Sequence, residues 1–164
     1  MHSTSLGSSR NKVGFAIFWG GLTCGAMDIT AAFVVYGWFG ARPMPILKGI
    51  AAGLLGLRAF QGGLAVALLG LGCHFLIAFS AAAVYVAFSR KFDWLINQAI
   101  VFGILYGIAV YFFMNRVVVR LSGARKYPFS LEMMLIGVVI HIFCVGLPIA
   151  LMTRRYLRSE SIEC

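Results

Sequence analysis

The chain has 164 residues, of which 61% are hydrophobic and only 12% charged, with a formal net charge of +9 and a mean hydropathy of +0.92. This composition excludes a soluble globular domain, because long stretches carry no charge on any helical face. Lipid is the solvent for most of it, and the class implied is an all-α integral membrane bundle.

In chain order, a polar tail over residues 1–12 carries Arg10 and Lys12 and leads into a transmembrane domain over 13–153. The first apolar run, Val13 to Phe39, exceeds the roughly 20 residues that a span needs and holds one acidic residue, Asp28. A cleaved leader ending at Cys24 is a poor fit, because Gly21, Leu22 and Thr23 match the small-residue cleavage pattern weakly and the apolar run continues past them. Pro43 and Pro45 then end the first helix. The next apolar run, Ile46 to Phe60, is too short to cross. With Lys48 and Arg58 near its ends and Gly49, Gly53 and Gly56 along it, it reads as a short interfacial or re-entrant helix. A phosphate-cradling loop is the alternative for so much glycine, but neither Walker nor dinucleotide spacing is present.

Three further spans follow, at Leu64 to Phe88, Leu95 to Leu121 and Leu131 to Thr153, giving four transmembrane helices in all. Their connections are short, with Ser89, Arg90, Lys91 and Asp93 in one and Ser122 to Pro128 in the other, so neighbouring spans run antiparallel. Ser130 and Glu132 at the head of the fourth span read as helix-capping residues. Trp38, Trp94, Tyr127 and Tyr156 sit near span ends, where amphipathic rings favour the headgroup zone. Residues 154–164 form a basic and polar tail.

Basic residues fall on both membrane faces and form no single stripe, so anionic lipid headgroups fit as partners and nucleic acid does not. Arg10, Lys12, Arg90, Lys91, Arg154, Arg155 and Arg158 lie on the face of the termini. Arg42, Lys48, Arg58, Arg116, Arg120, Arg125 and Lys126 lie on the other, so the positive-inside count is tied. Because the first helix usually dominates, Arg10 and Lys12 set the expectation that both termini are cytoplasmic. Cys24, Cys73, Cys144 and Cys164 have no paired spacing, which suits neither a zinc site nor a disulfide framework.

Small residues allow helices to approach closely in lipid, and Gly21, Gly25, Gly70, Gly103, Gly107 and Gly137 are the candidate packing positions. The run from Leu69 to His74 resembles that from Ile136 to His141, each with glycine four residues before histidine. Together with the pairs Gly21, Gly25 and Gly103, Gly107, it hints at a duplicated hairpin.

Asp28, His74 and His141 lie ten or eleven residues from span ends on one membrane face, a common depth of roughly 15 Å at 1.5 Å per residue. Three readings of this level compete. The three side chains are a buried polar cluster that fixes helix register; or His74 and His141 are axial ligands of a b-type haem, with Gly70 and Gly137 leaving room for the macrocycle; or Asp28 with the histidines forms a proton, small-ion or metal site.

Enzyme signatures such as H-E-x-x-H, G-x-S-x-G and the P-loop are absent, as are paired carboxylates within the spans. The segments "GIAAGLLGLRAFQGG", "GLGCHFLIAF", "GILYGIAVYFFMN" and "IGVVIHIFCVGLPIAL" resemble a group of small, uncharacterised bacterial inner-membrane proteins of the YagU type. Some members have proline where this chain has Arg120, so the resemblance gives no guidance on where the third helix ends. It implies a multi-pass protein of the bacterial inner membrane and no reaction. The expected role is therefore accessory, structural or interaction-based, with a homo-oligomer or a membrane protein as partner. Haem-based electron transfer through His74 and His141, or proton or small-ion transport involving Asp28, is the alternative.

Overall fold

A computed structural model describes residues 4–124 and 130–158, with side chains from residue 11 onward; Arg125, Lys126, Tyr127 and Cys164 lie outside the described residues. All regular structure among the described residues is helical. Helix α1 (Thr4–Trp38) is followed by α2 (Pro43–Leu55), a 3-10 turn (Gly56–Gln61) and α3 (Leu64–Ser89). A short turn α4 (Trp94–Asn97) precedes α5 (Ala99–Phe113), a π-helical stretch (Met114–Val118) and α6 (Val119–Leu121). The last span is α7 (Leu131–Ile140), a second π-helical stretch (His141–Gly146) and α8 (Leu147–Leu157).

Four of these stretches, Asn11–Trp38, Leu64–Ser89, Ala99–Leu121 and Leu131–Leu157, are long and apolar enough to cross a membrane. The protein is a multi-pass membrane protein and an all-α bundle. Its outer surface is apolar, with Leu76 67% and Val34 66% exposed, as contact with lipid chains requires. α1 begins within the polar tail, because extending a formed helix costs little once it is nucleated. The fourth span likewise runs past Thr153 to Leu157, since the Thr153 hydroxyl donates to Ile149 O at 2.8 Å and needs no solvent.

Local chemistry explains the breaks. Gly40, at φ +84°, reverses the chain after α1, and Pro43 occupies the first position of α2, where its missing N–H costs nothing. Gly56, at φ +63°, turns α2 into the 3-10 segment. The expected third span starting at Leu95 is interrupted at Gln98 (φ −109°, ψ 45°), so the long helix starts at Ala99. Ser130 caps α7 by accepting from Met133 N at 3.4 Å. In the fourth span, Pro148 has no N–H to offer the preceding turn, and the π-helical stretch His141–Gly146 lies immediately upstream of it.

α2 does not cross. Leu47 and Ala51 pack backbone-to-backbone on Gly70 of α3, and Gly123 N donates to Gly53 O at 3.0 Å, so α2 closes the bundle end where α1 stops and α3 starts. The tight core lies toward the opposite face, where Tyr85, Val86, Ile149 and Ala150 are buried; in the described part of α7 and in Met114–Leu121 nothing is buried.

Candidate functional site

The mid-membrane level is built on two glycine-mediated helix crossings. In the first hairpin, Gly21 and Gly25 of α1 receive the rings of Phe79 and Phe75 from α3. In the second, Gly107 of α5 abuts His141 O and the Cα of Ile142, and Gly103 lies against Gly146 O and Leu147. Phe75 and Ile142 each follow a histidine directly, and Phe79 and Gly146 each come five residues after it. The same offsets from each histidine thus meet the glycine pairs in both hairpins, through side-chain rings in the first and through backbone in the second.

Each histidine packs within its own hairpin. His74 Nε2 lies 2.9 Å from Gly25 O of α1. A carbonyl only accepts, so Nε2 carries the proton and the bond ties α3 to α1. His141 Nδ1 lies 2.9 Å from Gly137 O, one turn back on its own helix, and its ring meets Tyr111 edge-on with centroids 5.3 Å apart. Both histidines are half-buried.

Asp28 is half-buried on α1, one turn beyond the buried Cys24 and within electrostatic reach of Cys24 and Cys144. No hydrogen bond or ion pair to Asp28 is found among the described residues. The shared depth of Asp28, His74 and His141 is thus accompanied by no direct hydrogen bond or ion pair between them among the described residues. Among the described residues no group of three His, Cys, Asp or Glu side chains could hold a metal ion.

The residues do not offer a paired haem site. With Nε2 of His74 protonated and bonded to Gly25 O, that atom has no lone pair for iron; His141 alone keeps Nε2 free, in the arrangement in which Nδ1–H is anchored on a carbonyl. The two glycines expected to leave room for a macrocycle are covered by protein. Gly70 is covered by Leu47 and Ala51 of α2, and Gly137 by the ring of Tyr111.

Four further polar side chains in the spans are engaged with backbone. Thr30 Oγ1, Ser80 Oγ, Ser89 Oγ and Asn115 Nδ2 each donate to the carbonyl four residues back, over 2.7 to 2.9 Å. Two tyrosines that no motif or spacing singles out make contacts between elements. Tyr106 Oη donates to Ala81 O at 2.7 Å, Tyr85 Oη donates to Leu95 O at 3.2 Å, and their rings meet with centroids 5.0 Å apart. The signal was present, because a tyrosine deep in an apolar span must place its hydroxyl on some acceptor.

Replacing His74 with leucine should weaken the α1–α3 contact by about 1 kcal/mol, the usual size of an interhelical hydrogen bond in a bilayer. Thermal unfolding in detergent should show His74→Leu melting below His141→Leu, whose lost bond is internal to one helix. The reverse order would show that the bond to Gly25 O does not hold the hairpin together.

An open groove of about 540 Å³ runs along the outer flank of α1, lined by Ala26, Met27, Thr30, Ala31, Val34 and Val35 with Cys144 at its edge. It has the apolar character of a lipid-facing surface. Comparison with protein-family models, with curated proteins and with solved structures finds no match to this chain.

Proposed function

We propose that this protein acts in the bacterial inner membrane without catalysing a reaction, as an accessory or structural component that works through contacts with lipid and with other membrane proteins. The observation that carries this reading is the engagement of its polar side chains. Both histidines, both core tyrosines and the hydroxyls of Thr30, Ser80, Ser89 and Thr153 are bonded to backbone carbonyls, which suits helix packing better than convergence on a ligand. The exposed Arg42, Arg58 and Arg120 beside α2 suit anionic lipid headgroups. The resemblance to YagU-type proteins supports the same location.

Asp28 favours a second reading. A carboxylate within a span is costly unless it is neutralised or works on an ion, and no described cation faces it. Reconstitution into vesicles holding a pH-sensitive dye separates the two. The accessory reading expects proton flux equal to that of protein-free vesicles, and it expects Asp28→Asn to behave as the wild type. Flux above that background that Asp28→Asn abolishes, in a variant still folded by circular dichroism, would replace it with the ion-pathway reading. An absorption band in the visible region of the purified protein would likewise reject it in favour of a bound cofactor.

A further inference from the structure

Orientation in a membrane is set by the difference in Lys and Arg between the two faces, counted over short loops and the first 15 to 20 residues beyond each span. In this fold the count depends on α2, because a segment that crossed would move every later charge to the other face. The backbone contacts of Leu47 with Gly70 and of Gly53 with Gly123 return α2 to the face it left. Arg42, Lys48 and Arg58 therefore share a face with Arg116 and Arg120, and in sequence with the connection that carries Arg125 and Lys126. The opposite face holds Lys12, Arg90 and Lys91, and Arg154, Arg155 and Arg158 at the end of α8, with Arg10 preceding them in α1.

The fourteen basic residues thus divide evenly. The first helix does not break the tie either, because Arg10 and Lys12 before it are matched by Arg42 and Lys48 soon after it. Every connection is short, so no large domain is present between spans to bias translocation.

We propose that this chain enters the membrane in both orientations, in comparable amounts, so that each copy shares its bilayer with inverted copies of itself. This replaces the single orientation that Arg10 and Lys12 alone would favour, and it is independent of whether the protein is an accessory component or an ion pathway.

The test uses the full chain with a reporter at its C-terminus. One version carries a phosphatase that is active only outside the cytoplasm, the other a fluorescent protein that is bright only inside it. Both are expected to be active at levels within about threefold of each other once normalised to the amount of protein. Neutralising Arg42 and Arg58 together (to Gln) should shift the population at least fivefold toward internal termini. Neutralising Arg155 and Arg158 together should shift it at least as far the other way. These four side chains are exposed, so the substitutions leave the core untouched. A wild-type chain with its C-terminus on one side only overturns the proposal. Reporter activity on both sides that neither pair of substitutions moves also overturns it, because balanced charge would then not be the cause.

Discussion

Replacing Gly107 with leucine should destroy the bundle. A Cβ at this position would be driven into His141 O and would lie 2.7 Å from the Cα of Ile142. Both obstacles are backbone, which cannot rotate aside as a side chain can. Overpacking a core typically costs 1 to 3 kcal/mol, and a collision with a neighbouring helix's main chain belongs at or above the upper end, about 3 kcal/mol. The damage reaches further than one crossing, since Gly146 of the same helix pair already lies against the backbone of Gly103 and Gly107. Size-exclusion chromatography and thermal unfolding in detergent should show Gly107→Leu aggregated or melting far below the wild type. Gly72→Leu is the matched control, since a Cβ there meets nothing within 4 Å, and it should behave as the wild type. Equal tolerance of both substitutions would mean that α5 and the fourth span do not cross at Gly107.

Replacing Gly70 with leucine should detach α2 and leave the four spans in place. The Cβ would strike Leu47 O, with Leu47 C at 2.8 Å and Ala51 N at 3.2 Å. Unlike the α5 crossing, this contact joins a span to a segment that does not cross, held besides by its connections, by a small core of Ala51, Ala52 and Ala59 against Val66, and by Gly123, which packs on Gly56 and donates to Gly53 O. The easier response is for α2 to lift away. Limited proteolysis should then cut between residues 43 and 61 at least tenfold faster, while the melting temperature of the remaining bundle falls by only a few degrees. Cutting that stays slow would show that α2 is held by something other than its seat on Gly70.

The spans were legible because 20 apolar residues without charge have few other uses, and α2 because Pro43 and Pro45 isolate a run too short to cross. Glycine positions were legible as packing sites, since close approach in lipid requires small side chains. What each glycine would meet was not. Gly70 looked like space for a cofactor, yet its neighbour is α2, which is remote from Gly70 in sequence and becomes adjacent only through the turn at Gly56 and the return of the chain.

The same limit applied to the histidines. Depth along a helix follows from residue counting, so the shared level of Asp28, His74 and His141 could be read from the chain. Azimuth depends on how each hairpin closes and on the π-helical stretch upstream of Pro148, which changes the winding of the fourth span. That proline was visible in the sequence and its consequence for His141 was not. The Thr153 hydroxyl was equally opaque, since it bonds its own helix and so marks no boundary.

Four helices cross the bilayer and α2 does not, a topology that backbone hydrogen exchange in lipid nanodiscs can resolve segment by segment. The measurement is indifferent to which way round a molecule is inserted. Amides buried in the hydrocarbon exchange only by rare opening, whereas those at the interface meet water. Four strongly protected stretches are expected within Asn11–Trp38, Leu64–Ser89, Ala99–Leu121 and Leu131–Leu157, with rapid exchange at Gly40 and Lys91 and intermediate protection through α2. Full protection of α2 equal to that of the spans, or rapid exchange through the middle of any one of the four, would contradict this topology.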